Sequence, residues 1–271
     1  YPAGDPRYVP TIEESIANNA AVTLADVQKF HRDFYGASNA EIAIVGDFDA
    51  KEMRALVTQL FGDWKSPQPY TRVPDPYRAN KAAAIRINVP DKANAMILGA
   101  QHIPMNDLSP DYPAMLVAGF ILGESSAARI PARLRQKDGL SYGAGTFFQP
   151  SALDENSTIG SYAIFAPQNL PKVRAGFAEE FAKAVKDGFT DAEVADAKLG
   201  VLQERRLGRT EDGRVASALT SQAFYGRTFA TSGAVDAAIE KMTTADVDAA
   251  LRKYFKPDEM AYVFAGSFPK E

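Results

Sequence analysis

The stretch Val22-Thr-Leu-Ala-Asp-Val27 returns 220 residues further along the chain as Met242-Thr-Thr-Ala-Asp-Val247. In the same register and without a gap, five more positions correspond: Arg32 and Arg252, Phe34 and Tyr254, Tyr35 and Phe255, Gly46 and Gly266, Phe48 and Phe268. Both copies predict a threonine N-cap, an amphipathic helix that ends in an aromatic pair, and an apolar strand that ends at glycine. The spacing therefore indicates an internal repeat.

This repeat predicts how the chain is divided. Residues 1–66 are expected to be the C-terminal portion of a first repeat unit that begins upstream of Tyr1, and residues 82–271 a second, nearly complete unit. Residues 67–81 form a proline-rich linker, because proline cannot sustain a helix and favours extended backbone. The second unit lacks a counterpart of the helix predicted at 50–61, so we expect the sequence to be part of a longer protein.

Composition narrows the class of protein. Of 271 residues, 46% are hydrophobic and the formal net charge is −4, which predicts a soluble globular protein with a large core. No Lys/Arg-rich run is interleaved with aromatic residues, so nucleic acid is not expected as a partner. The absence of cysteine excludes disulfides, thiolate nucleophiles and Cys-based metal sites. The longest apolar stretch, 114–122, is far too short to span a bilayer, so no membrane-spanning segment is expected.

Hydrophobic periodicity predicts the secondary structure. Strands are expected at 40–46, 83–89, 95–103, 142–148, 157–165 and 259–265. Helices are expected at 11–19, 24–35, 50–61, 111–122, 127–137, 173–185, 190–207, 212–226, 233–241 and 244–255. Strand pairs followed by runs of helices predict an α+β fold, in which helices cover one face of a mostly antiparallel sheet.

The common catalytic motifs are missing from the sequence. His31 and His102 are its only histidines, they lie 71 residues apart, and neither has a second ligand at helical spacing, so no HxxEH or HExxH zinc motif can be written. There is also no GxSxG elbow, Walker loop or GxGxxG. An independent enzyme with its own metal or nucleophile therefore has little support, and no cofactor is expected in this chain.

One segment combines a turn at Gly123, a basic helix, a glycine stop at Gly139 and a strand that begins with tyrosine. Arg135 lies near the predicted C-terminus of the helix, where its charge suits the helix dipole and its guanidinium can reach peptide carbonyls. The hydroxyl of Tyr142 can stand at a sheet edge as a donor to a carbonyl or an oxyanion. On spacing alone, the simpler interpretation is a C-terminal helix charge and a half-buried strand aromatic.

The sequence from Leu134 to Tyr142, Leu-Arg-Gln-Lys-Asp-Gly-Leu-Ser-Tyr, resembles a family signature. The arginine and tyrosine, seven residues apart, are similar to those in the C-terminal half of the pitrilysin or insulinase-like zinc metallopeptidases and the mitochondrial processing peptidases. Four other stretches also resemble this family: Ile103–Asp107, Asp111–Ala114, Ile121–Ser126 and Asn39–Asp47. The resemblance covers essentially the whole chain.

The resemblance implies a LuxS/processing-peptidase-like half-unit that lacks zinc and closes on a zinc-bearing HxxEH half around an extended peptide. It implies that Arg135 and Tyr142 reach the substrate and the scissile carbonyl, whereas zinc and the glutamate base belong to the complementary half, on the same polypeptide or on a separate subunit. The isolated chain is then expected to be inactive. Bacterial relatives of this type are often exported to the periplasm, which is an expectation of the family.

One departure supports an alternative. The family often has two or three glycines where this chain has Gly123-Glu124-Ser125, which leaves the shape of that turn open. The alternative is a structural or assembly module with a degenerate peptidase fold and no role in peptide processing.

Overall fold

A computed structural model describes residues 1–268. The chain divides into two compact units, one of Tyr1–Asp75 with Arg209–Phe229, the other of Pro76–Gly208 with the chain from Ala230 onward. This division by contacts is distinct from the repeat boundaries predicted from the sequence, which stay a prediction. Within the described residues no helix is both long and apolar enough to cross a membrane.

The elements follow one another in chain order as α1 (Ile12–Ala21), α2 (Leu24–Phe34), α3 (Ala50–Phe61), β1 (Ala83–Asn88), β2 (Ala95–Ile103), α4 (Tyr112–Gly119), α5 (Arg129–Pro131), β3 (Ser141–Gln149), β4 (Ser157–Phe165), α6 (Leu170–Asp187), α7 (Asp191–Gly208), α8 (Asp212–Phe224), α9 (Phe229–Lys241), α10 (Thr244–Tyr254) and β5 (Ala261–Gly266). Two of the helices run on into wider π-helical turns, α4 through Phe120–Glu124 and α5 through Ala132–Lys137.

The second unit contains a five-stranded sheet in the order β1-β5-β2-β4-β3. Every neighbouring pair is antiparallel except β1 and β5, which are parallel. Along β2, buried and more exposed residues alternate, because successive side chains of a strand point to opposite faces of the sheet. One face packs on the helices and the other stays open, which confirms the predicted α+β fold with a mostly antiparallel sheet.

The core lies between that sheet and helices α4, α6, α7 and α10. Phe181 of α6 packs against Phe177 at a centroid distance of 5.5 Å, and edge-on against Phe255 at 5.0 Å. All three aromatic side chains are buried, as is most of α4, which the sequence predicts as an almost all-apolar helix. Aromatic pairs in this geometry add to the free energy gained by burial, so this cluster is a main source of stability.

The predicted strand at 40–46 is not formed. Its backbone is irregular, and Ile42 and Ile44 are 51% and 40% exposed. The apolar alternation is present, but a strand also needs a neighbour for its backbone hydrogen bonds, and nothing in residues 1–268 pairs with this segment. The corresponding segment of the second copy, β5, lies between β1 and β2 and has both neighbours.

The helices before these two segments correspond closely. Residues 24–34 and 244–254 are both helical, and each helix follows a threonine N-cap that forms a capping box with the aspartate three residues on. Their apolar faces differ in burial: Val247 and Tyr254 of α10 are buried, whereas Val27 and Phe34 of α2 are more than half exposed. The first unit therefore carries an apolar face that its own described residues leave uncovered.

Candidate functional site

The backbone at Arg135 is held by the helix that begins at Arg129 and by Leu134, the buried residue that precedes it. Leu134 is fully buried, and a Cβ atom on Gly176 of α6 would come within 2.5 Å of its Cδ2, so the two helices approach closely. Gly139 ends the helix at a φ of 61°, and the Leu140 N–H donates to the Leu134 carbonyl at 2.8 Å. This buried contact and glycine stop fix the backbone on both sides of Arg135.

The three arginines of this helix have different surroundings. Arg129 binds both carboxylate oxygens of Glu193, at 2.6 and 2.8 Å, and Arg133 binds Asp138 and Glu179. Arg135 is exposed and makes no hydrogen bond or ion pair within the described residues. It is a charge in the last helical turn, as predicted, but it does not bind the peptide carbonyls there. Its guanidinium is therefore available to a ligand.

The Arg129–Glu193 pair predicts a dependence of stability on pH. The bonds from Arg129, and those from the Thr190 N–H and hydroxyl, lower the pKa of Glu193 from 4.5 to about 2. A carboxyl group whose pKa is lowered in the folded state stabilises the fold at pH values above its unfolded-state pKa. This contribution is lost as the pH falls through its folded-state pKa. We expect Glu193→Gln to lower the melting temperature at pH 6, and the difference from wild type to shrink between about pH 4.5 and 2. A difference that stays constant over this range contradicts the assignment.

Tyr142 lies on a β-bulge at the start of β3. Ser141 pairs with Phe165 and Gly143 with Ile164, so Tyr142 is an extra residue without a partner on β4. It is 84% exposed, and its side chain makes no hydrogen bond or ring contact within the described residues. The simpler interpretation of a half-buried strand aromatic is therefore wrong, because a bulge changes where a side chain points in a way that regular alternation does not predict.

Open space lies on one face of the sheet next to Tyr142. A Cβ atom on Gly143 would meet nothing within 4 Å, in contrast to Gly145, where it would lie 2.6 Å from the Gly123 carbonyl oxygen. The far end of the same edge is occupied, because the Phe148 N–H donates to Glu124 Oε1 at 2.9 Å. β3 is the terminal strand of the sheet, and its edge is closed near Phe148, whereas Tyr142 at its other end is exposed.

The turn at Gly123 accounts for that closure. A Cβ atom on Gly123 would lie 2.2 Å from the Thr146 nitrogen, so only glycine fits there. Part of Glu124 is exposed, but its carboxyl lies against Gly119 and β3, and burial, together with the charge of Glu204, raises the pKa of Glu124 above its usual range. Sequence reasoning treated Glu124 only as a departure from the family pattern and missed its bond to the strand edge.

No zinc site can be built from the described residues. Within 1–268 no group of three or more His, Cys, Asp or Glu side chains could hold a metal ion. His31 stacks on Tyr35, and His102 on β2 faces the Thr158 hydroxyl at 3.3 Å, each a local contact. The chemistry that Arg135 and Tyr142 offer is hydrogen bonding to a carbonyl or an anion.

Known proteins share this sequence pattern and fold. The profile of the family described as peptidase M16 inactive domain matches residues 21–201. An uncharacterized zinc protease of Mycobacterium leprae is 26% identical over 209 residues, which cover 71% of this chain and 46% of that protein. The chain therefore spans about half the length of this curated relative.

Solved structures agree with the fold. The peptidase M16 inactive domain from Pseudomonas fluorescens is 25% identical with a TM-score of 0.75, covering 93% of this chain and 59% of that one. A protease from Helicobacter pylori is 17% identical with a TM-score of 0.76, covering 92% of this chain and 60% of that one.

Proposed function

Because this chain belongs to the family of peptidase M16 inactive domains, we propose that it is the non-catalytic, substrate-binding half of a zinc-dependent metallopeptidase that cleaves peptides. The observation that carries the proposal is the contrast within one segment. Arg129 and Arg133 are held by acidic side chains, whereas Arg135 and Tyr142 are exposed without partners in the described residues. Side chains fixed at the backbone but unengaged at their polar ends are suited to binding a ligand.

Arg135 and Tyr142 have different roles in this proposal. The planar guanidinium of Arg135 donates to carbonyl oxygens of an extended peptide and positions its backbone. The neutral hydroxyl of Tyr142 donates to the oxygen on which negative charge develops when the scissile carbonyl is attacked. The zinc ion, its bound water and the glutamate base belong to the complementary half, where the metal activates that water. This chain therefore supplies binding and orientation.

The complementary half is the proposed partner, on the same polypeptide or on a separate subunit. The uncovered apolar face of α2 and the unpaired segment 40–46 support it, because both correspond to parts that are buried or paired in the second copy. By analogy with β5, segment 40–46 needs a parallel strand on one side and an antiparallel strand on the other. The same surface also favours the alternative, an assembly module without a role in peptide processing.

The peptide is proposed to add as a strand along the open part of the β3 edge, beside Tyr142. Backbone hydrogen bonds then give affinity, and pockets for alternate side chains give loose specificity. The exposed position of Tyr142 leaves one end of this edge open, whereas the turn at Gly123 and the Glu124 carboxyl close the other end.

The variant Gly143→Val tests this approach. Valine suits a strand, and its Cβ meets nothing within 4 Å in the free protein, so the melting temperature is expected to stay unchanged. The added branch stands on the sheet face beside the side chains of the bound peptide, and crowding there is expected to raise the Kd for an extended peptide at least about tenfold. Gly213→Val is the matched control, since a Cβ there also meets nothing within 4 Å. Equal Kd values for both variants contradict the proposed path.

Calorimetric titration tests the function itself. The protein is assembled with its zinc-bearing half, in which the glutamate base is replaced so that the peptide is bound and not cleaved. Arg135→Ala is expected to weaken peptide binding, whereas Lys137→Ala, which removes an exposed charge from the same helix, is expected to leave it unchanged. A stable assembly whose peptide affinity is the same with and without Arg135 favours the assembly module.

A further inference from the structure

We infer that Ser141 is a positioning residue for Tyr142: its hydroxyl holds the bulge that presents the tyrosine to the substrate. The inference rests on the proposed function, and it assigns a role to a residue that touches no substrate itself. Ser141 is 8% exposed, and Tyr142, next to it on the strand, is 84% exposed. The change from a buried to an exposed residue marks where the proposed site begins on β3.

The Ser141 hydroxyl joins both strands of the bulge. Its Oγ lies 2.8 Å from the carbonyl oxygen of Gly143, on its own strand, and 2.7 Å from that of Ile164, on β4. The three residues belong to the irregular step, since Gly143 pairs with Ile164 and Ser141 with Phe165. One side-chain donor is therefore shared between one carbonyl on β3 and one on β4, next to Tyr142.

A single hydroxyl has only one proton, so the two carbonyl oxygens share it or alternate in accepting it. Without it, both oxygens lose their side-chain donor at a partly buried position, which disfavours the bulged arrangement. The nearest alternative is regular pairing, in which the register of residues 143–149 continues, Tyr142 lies opposite Phe165, and the start of β3 shifts by one residue. Such a shift changes where each affected side chain points, and Tyr142 leaves its exposed position.

Ser157 offers a matched comparison on the same sheet. Its hydroxyl is fully buried, donates to the Met105 carbonyl at 2.7 Å and accepts from the Ser151 N–H at 3.0 Å. Ser157→Ala therefore removes a buried hydroxyl with a comparable bond, at a place that carries no bulge and no proposed ligand. It reports the general cost of losing a buried serine hydroxyl from this sheet.

The test measures kcat and KM for peptide cleavage by the assembly with the zinc-bearing half, and the melting temperature of each variant. Ser141→Ala is expected to lower kcat between about tenfold and 100-fold with a smaller change in KM, because a displaced donor is lost mainly in the transition state. Ser141→Thr keeps the hydroxyl and is expected to restore most of kcat.

Ser157→Ala, the control, is expected to lower the melting temperature and leave kcat near wild type. Adding Ser141→Ala to Tyr142→Phe is expected to produce little further loss.

A second measurement needs no partner. With 3-fluorotyrosine incorporated at position 142, the ¹⁹F resonance of this chain is expected to shift or broaden in Ser141→Ala and to stay close to wild type in Ser141→Thr and Ser157→Ala. An unchanged resonance in Ser141→Ala overturns the inference. If Tyr142→Phe lowers kcat and Ser141→Ala does not, the positioning role fails while the proposed function stands. If Tyr142→Phe has no effect, the role proposed for Tyr142 itself fails.

Discussion

Arg135→Ala and Tyr142→Phe are each expected to lower kcat/KM for peptide cleavage by about 100-fold or more when the chain is assembled with its zinc-bearing half. Within the described residues the Arg135 side chain makes no hydrogen bond or ion pair and the Tyr142 side chain makes no hydrogen bond, so neither replacement removes a bond that the fold uses. The loss is expected to fall on substrate positioning for Arg135 and on the oxyanion for Tyr142. Steady-state kinetics on a quenched fluorescent peptide measure both.

The matched control for these two variants is Lys137→Ala, an exposed basic residue in the same helical segment. It is expected to keep nearly all of the activity. Melting temperatures of all three variants are expected to match the wild type, because surface substitutions that remove no bond usually change stability little. If Arg135→Ala and Tyr142→Phe cleave as fast as Lys137→Ala, the substrate-binding proposal is wrong and the assembly module is favoured.

Phe181→Ala is expected to lower the free energy of unfolding by about 3–5 kcal/mol. Phe181 is fully buried and packs against both Phe177 and Phe255, so its removal leaves a cavity where α6, α10 and the sheet meet. Urea denaturation followed by far-ultraviolet circular dichroism measures the change. The control is Leu199→Ala on α7, where the leucine is 68% exposed. A Phe181→Ala midpoint as high as that of Leu199→Ala contradicts the proposed core.

The elements that could be predicted from sequence are those whose cause is local. Helix α2 begins after Thr23 because the threonine and Asp26 form a capping box, and α10 repeats this with Thr243 and Asp246. Strands β2 and β4 have the predicted bounds, since alternation and flanking turns define them. Leu134 and Gly139 likewise fix the backbone around Arg135, which the spacing of the basic helix and its glycine stop indicated.

The features that could not be predicted depend on distant residues. Segment 40–46 has the apolar pattern of a strand, yet it forms none without a neighbour to bond with. The exposure of Tyr142 follows from the register of β3 against Ile164 on β4, which no local pattern encodes. The bond from Phe148 to Glu124 also joins residues far apart in sequence. Pairing partners, more than local propensity, decide what the candidate site exposes.

The measurement that tests the central claim most directly is cleavage of a quenched fluorescent peptide by three samples: this chain alone, the zinc-bearing half alone, and their mixture. We predict that neither half cleaves the peptide alone and that the mixture does, with the gain lost in Arg135→Ala. A mixture that associates without gaining activity, or a gain that Arg135→Ala leaves intact, contradicts a substrate-binding half that acts through this site.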